Sequence, residues 1–377
     1  MDSFSMPSHK KLWRKDFIIL IIVELMITAS VYMQIPLFLQ RYINSECTIQ
    51  KGLGVAVSMF GIGLFAIGPF TNWLIQRYRR NKVFIFSTAG MLSVLLFMSV
   101  YGYESRMADE SAGILLKISC FLFGCFYSLS KRTLTGVLMI DKCESYNRTD
   151  ANIAASWVSR FSLSVGPAVA VIAMTMTDSI DTDVMANACI AVAILLVCMI
   201  RFPFKSPDEN VNIISTDRFF YSHDIKYFIL LAAIYVVIGL IVSLTDSVMF
   251  YGFLSAGFAI AMIGGHYFVR STKRLSGIIG LVCMLTAFIF IILCRCLPFT
   301  DYTVPLLLGC GTGYIGSYVL HKYIDAGIHC ERSTAISSYF LACEGGFAGG
   351  ICISYMFIDN QIMAQFHKIL QSFLNCY

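Results

Sequence analysis

Apolar runs of about twenty residues recur eleven times along this chain and leave little room for anything else. A helix of that length rises about 30 Å, the thickness of a bilayer's hydrocarbon core. The runs are continuously apolar rather than alternating, which selects helices over barrel strands. The expected spans are residues 17–39, 53–75, 83–103, 114–140, 151–176, 184–202, 227–245, 248–269, 276–294, 304–320 and 334–358. Of the 377 residues, 57% are hydrophobic and only 14% charged, whereas soluble domains carry about 25% charged residues. Such a composition cannot clothe a water-facing surface. It excludes a soluble enzyme, a disordered scaffold and a nucleic-acid-binding module, and the expected class is an all-α polytopic membrane protein. The first run exceeds the apolar region of a signal peptide and lacks a small-residue exit, so it is expected to stay as a span.

Lys and Arg accumulate in cytoplasmic loops. With the N-terminus inside, nineteen cations fall in cytoplasmic segments, among them Lys10, Arg14, Arg77, Arg80, Lys142, Arg148, Arg218 and Arg332. Only four fall outside: Arg41, Lys51, Arg106 and Arg295. A cytoplasmic N-terminus is therefore expected. The final stretch, 361–377, is short for a span and contains His367 and Lys368. Its Phe366, Ile369, Leu370, Phe373 and Leu374 recur at helical spacing, as in a short bundle-packed or interfacial helix.

The longest polar interruption, 204–226, separates an N-terminal six-helix bundle (1–203) from a C-terminal one (227–377). The segment Asn72-Trp-Leu-Ile-Gln-Arg-Tyr-Arg-Arg80 after span two resembles His266-Tyr-Phe-Val-Arg-Ser-Thr-Lys-Arg274 after span eight. Parallel repeats of this kind build many transporters. The stretch Gly68–Lys82, the stretch Asp141–Asn152, Arg160 and the pair Gly166-Pro167 resemble the major facilitator superfamily (MFS), closest to a bacterial branch of its transporters. The resemblance covers essentially the whole chain and implies two six-helix bundles related by a pseudo-two-fold axis, the last helix being short or atypical. It implies a gating loop of Gly68, Gln76, Arg77 and Arg80, facing Asp141 and Arg148. Asn72, Gln76 and Arg79 depart from the family's usual Gly, Asp and Gly, which removes a carboxylate from that loop's charge relay.

A charged side chain in a span costs at least about 2.5–3.5 kcal/mol and calls for a partner or water. Glu24 in span one, Lys131 and Arg132 in span four and Arg160 in span five are such residues. At 1.5 Å per residue they lie within about 4–6 Å of the midplane on its cytoplasmic side. Adjacent positions point about 100° apart, so only one of Lys131 and Arg132 is expected to face a cavity. The cations would attract an anionic substrate, and Glu24 would exchange a proton with its occupancy. The competing reading is a structural ion-pair network, with a cation snorkelling toward headgroups. Glu344, in span eleven before Gly345-Gly346, is a second coupling candidate, or a hydrogen-bonded packing residue.

Gly166-Pro167 resembles the end of the superfamily's antiporter motif, with Ser162 in place of its preceding Gly. Proline removes a helical hydrogen bond and bends the helix, so a kink is expected there. Gly311-Thr-Gly313-Tyr-Ile-Gly316 matches a dinucleotide fingerprint in letters, but it lies inside an apolar helix with no preceding strand. Small residues there serve helix packing. The fourteen cysteines lack metal-site or disulfide spacing. No cofactor, metal or nucleic acid is expected. The expected protein is a monomeric secondary transporter in a bacterial inner membrane, moving a small organic, anionic solute with protons, export favoured. Nutrient import, and a degenerate transporter acting as a sensor or assembly partner, are the alternatives; an enzyme is not expected.

Overall fold

The computed structural model describes residues 12–43, 47–101, 110–176, 179–203, 210–267, 273–293, 299–326 and 331–357. Among them, ten helices are long and apolar enough to cross a membrane, and no strand occurs. They are α1 (Lys15–Leu39), α2 (Gly52–Arg77), α3 (Arg80–Val100), α4 (Gly113–Asp141), α5 (Ser145–Met176), α7 (Ile225–Val242), α8 (Val248–Gly265), α9 (Arg274–Ile291), α10 (Thr300–Ala326) and α11 (Arg332–Met356). A further helix, α6 (Ser179–Cys198), stands between α5 and α7. Each of the eleven expected spans coincides with one of these helices, and the protein is an all-α polytopic membrane protein. The expected final helix, 361–377, lies outside the described residues.

Helix ends and membrane edges part company at three places. α10 runs past Leu320 through His321 and Lys322 to Ala326, because charge ends the apolar run without breaking the backbone ladder. α6 stops at Cys198, short of Phe202. Phe202 precedes Pro203, and a residue before proline is steered away from helical backbone. α6 also begins earlier than Val184, since Asp181 and Asp183 lower hydropathy yet remain compatible with helix. α5 stays helical through Pro167.

α1 packs on α5 and α6, α2 on α4, and α3 on α4 and α6; α7 packs on α11, and α10 on both α8 and α9. The two groups meet where α2 touches α11 and α5 touches α8. α3 and α9 turn large apolar side chains outward, including Phe86, Leu96, Ile278 and Leu285. Lipid tails are as apolar as these side chains, so close helix approach depends on small residues. A Cβ on Gly63 or Gly124 would collide with the backbone carbonyl of Phe121 or Phe60, across the α2–α4 seam. The α8–α10 seam repeats the arrangement with Gly257 against Leu306 and Gly309 against Leu254.

Gly309→Val is expected to force α8 and α10 apart, lowering stability by about 1–3 kcal/mol and the melting temperature in detergent. Gly252→Ala, whose added methyl meets nothing within 4 Å, should leave the melting temperature unchanged or slightly higher.

Candidate functional site

One ammonium group holds two carboxylates at the middle of the bundle. Lys131 Nζ on α4 lies 2.8 Å from Glu344 Oε1 on α11 and 3.4 Å from Glu24 Oε1 on α1. Glu24 is 0% exposed, Lys131 3% and Glu344 5%. Helical spacing supplies the support: Thr28, one turn after Glu24, donates to Glu24 Oε1 at 3.3 Å, and Tyr127, one turn before Lys131, accepts from its Nζ at 3.1 Å. Ser159 of α5 donates to Glu24 Oε1 at 2.7 Å. Glu344 is more fully served, with Tyr32 donating to Oε2 and Tyr127 to Oε1, both at 3.0 Å. Glu24 Oε2 is buried without a hydrogen-bond partner among the described residues. The trio carries one carboxylate more than it has cations, so one bound proton would neutralise it.

The structure does not gather the four charges grouped from sequence into one contact. Arg132, next to Lys131, turns toward the face on which α1 begins, here the N-terminal face. It donates to the Leu64 carbonyl at 3.1 Å and the Thr71 hydroxyl at 3.3 Å, and covers the Phe219 ring at 5.1 Å. Helix geometry accounts for the divergence, since adjacent side chains leave the axis about 100° apart. Arg160 is 2% exposed and has only neutral partners among the described residues: Tyr339 OH at 2.6 Å, Ser317 Oγ at 3.0 Å, the Gly313 carbonyl at 3.4 Å and the Trp157 ring at 4.3 Å. Its Nε has no partner. A Cβ on Gly316 would press on this guanidinium at 3.0 Å. The glycine run in α10 thus makes room for Arg160. Arg160 and Glu344 line a common small cavity with Tyr32, Ser159, Tyr235 and Tyr339.

Two larger cavities flank the trio. Toward the opposite face, an apolar cavity of about 60 Å³ reaches Glu344 past Tyr32, Phe60, Phe123 and Phe347. At the N-terminal face, a polar cavity of about 250 Å³ is lined by Arg80, Asp141, Arg148, Arg218 and Arg332. Arg80 Nη1 donates to both carboxylate oxygens of Asp141, at 2.5 and 2.6 Å. This ties the start of α3 to the end of α4 although Gln76 supplies no carboxylate; Gln76 instead donates to Asn72 Oδ1 at 2.8 Å. Arg77 closes the last turn of α2, and Arg148 lines the polar cavity at the start of α5. Gly166 faces the Ala29 carbonyl and Tyr32, where a Cβ would sit 2.8 and 2.9 Å away, so it brings α5 against α1.

Sequence reading missed three features. The hydroxyls of Tyr32, Tyr127, Ser159 and Tyr339 complete the site; Thr28 and Tyr127, four residues from charges on their own helices, were visible signals. Within α4, Leu134–Leu138 form a wide turn in which the Met139 N–H returns to the Leu134 carbonyl five residues back, a feature frequent at functional sites. The polar stretch before α7 folds back onto the N-terminal face. Ser215 N–H donates to the Pro69 carbonyl at 3.0 Å, Arg218 N–H to Thr334 Oγ1 at 2.8 Å and Tyr221 N–H to Ser338 Oγ at 2.6 Å. The Phe219 ring occupies the space where Gly68 lacks a side chain.

No protein-family profile and no curated protein sequence matches the chain. Solved structures do. The human organic anion transporter MFSD10 (TETRAN) superposes with a TM-score of 0.65 at 12% identity, covering 96% of this chain and 99% of that one. A bacterial homologue of the iron transporter ferroportin, in an outward-facing state, gives 0.65 at 13% identity over 96% and 97% of the two chains. The POT family transporter PepTSo gives 0.64 at 10% identity over 96% and 95%. The protein has the MFS transporter fold. These neighbours are transporters, and none is described as an enzyme.

Lys131→Met strands two buried carboxylates and is expected to cost about 3–5 kcal/mol, read as a lowered melting temperature. Adding Glu344→Gln should recover part of the loss, a non-additivity that measures the Lys131–Glu344 coupling.

Proposed function

We propose that this protein is a secondary active transporter of a small organic solute, working by alternating access and driven by protons. The observation that carries the reading is the buried Glu24–Lys131–Glu344 trio, one proton short of neutrality and lying between an apolar cavity on one side and a polar one on the other. Residues 1–203 and 227–377 act as two bundles joined by 204–226, rocking about α2–α11 and α5–α8. Lys131 bridges a carboxylate from each bundle, so its pairing changes as they move. Arg160, buried with no carboxylate partner among the described residues, favours an anionic substrate held near Tyr339 and Ser317. The structural neighbours are described as transporters of different solutes, and substrate chemistry comes from the side chains rather than the fold.

Glu24 is the proton carrier in this scheme, because one of its oxygens is unoccupied whereas both oxygens of Glu344 are engaged. Gly166-Pro167 supports export, and the cation-rich loops support a cytoplasmic N-terminus in a bacterial inner membrane. The gating role goes to the Arg80–Asp141 pair with Gly68 and Phe219. Arg77, Gln76 and Arg148 flank it.

In proteoliposomes, Glu24→Gln is expected to leave folding intact and make flux insensitive to an imposed pH gradient. An unchanged dependence on the gradient rejects Glu24 as the carrier. Arg160→Ala should weaken substrate affinity at least tenfold. Wild-type affinity in that variant reduces Arg160 to a packing residue, and silence of the wild type across a broad solute panel favours the sensor reading.

A further inference from the structure

The polar cavity at the N-terminal face has a charge imbalance that the transport scheme does not use. Four guanidinium groups line it: Arg80 from the start of α3, Arg148 from the start of α5, Arg332 from the start of α11, and Arg218 from the polar stretch before α7. Asp141 is its only acidic lining residue among the described residues, and both its oxygens are already engaged by Arg80. Buried N–H groups in the cluster lack acceptors: Arg218 Nη1 and Arg332 Nε have no hydrogen-bond partner among the described residues. The remaining polar lining, Thr149, Asn152 and Ser333, is uncharged.

Arg218 is held in place at a conformational cost. It is the only non-glycine residue with positive φ among the described residues, at 57°, a backbone region that L residues rarely adopt. Its N–H bond to Thr334 Oγ1 and the neighbouring Tyr221–Ser338 bond fix that conformation. Burial, and then the adjacent Arg80 cation, push the Arg218 guanidinium below its usual pKa, with Asp141 and Asp217 only partly opposing. A strained residue carrying an inadequately compensated cation into a 250 Å³ cavity calls for an anion to complete it.

We infer that this cavity is a binding site for a phosphate-class oxyanion, held by Arg148, Arg218 and Arg332 with Arg80 at its edge, distinct from the central trio. Guanidinium forks match the paired oxygens of such a group. A bound oxyanion would join α5, α11 and the connecting stretch, and so clasp the N-terminal face shut. The chemistry is shared by free phosphate and by the headgroup of an anionic phospholipid. The inference does not rest on the transport reading and is tested without flux.

The test uses the full chain purified in neutral detergent. Melting temperature is followed against inorganic phosphate, with chloride at matched ionic strength, and separately against micelles containing phosphatidylglycerol or phosphatidylcholine. Binding of radiolabelled phosphate provides a readout independent of stability. Phosphate is expected to raise the melting temperature saturably, and Arg218→Gln and Arg148→Gln should each weaken its binding by about tenfold. Stabilisation by phosphatidylglycerol alone, lost in the same variants, identifies the headgroup as the source. Two results overturn the site: no phosphate or phosphatidylglycerol effect beyond the chloride and phosphatidylcholine controls, or an effect that both variants retain. Arg148→Gln, on the rim and outside the strained segment, keeps the test open should Arg218→Gln fail to fold.

Discussion

An ammonium group buried between two carboxylates is the constraint around which this structure is arranged. Removing Lys131 would leave two carboxylates in a medium that cannot solvate them, so the three helices that supply the trio are held to one geometry. α1, α4 and α11 must converge within hydrogen-bond reach of Lys131, and the hydroxyls of Thr28, Tyr32, Tyr127 and Ser159 fill the directions the charges leave open. Tertiary specificity in a bilayer cannot come from expelling water from apolar surface. Here it comes from this network and from glycine seams that let backbones touch.

The seams and the charges divide the work. Where α2 meets α4 and α8 meets α10, the same glycine-to-carbonyl approach occurs at corresponding places, giving rigid pairs. The two groups come together where α2 meets α11 and α5 meets α8, and beside these seams the Lys131–Glu344 interaction joins α4 to α11 and the Arg160–Tyr339 interaction joins α5 to α11. Rigid elements joined by polar contacts that can be exchanged are what a rocking mechanism requires. Packed interfaces of this kind are bistable rather than continuously deformable.

Much of the fold was legible because its signal is local: run length and continuity of apolar residues mark each helix wherever its partners lie. The site was only partly legible. Depth along a helix follows from counting, and it put Glu24 and Lys131 at one level. Counting also set Lys131 and Arg132 about 100° apart, but not which of the two would face the trio, and it is Arg132 that reaches toward Thr71 instead. Glu344 lies 213 residues from Lys131, and no pattern in one sequence announces a pairing that distant. The stretch carrying Arg218 and Phe219 has no periodicity at all, so its fold-back onto Pro69, Thr334 and Ser338 had no signature to read.

The wide turn at Leu134–Leu138 has a geometric consequence for α4. Each residue of a regular helix advances by about 100°, and the turn inserts one residue into that count. The helix before it is phased to deliver Lys131 to the trio, and the helix after it delivers Asp141 to Arg80. Relaxation to regular geometry would swing Asp141 by about a quarter-turn away from Arg80 while Lys131 kept its bearing. α4 therefore contains a rotary joint midway between its two ion pairs, and untwisting it would unlatch one end of the helix with the other still engaged.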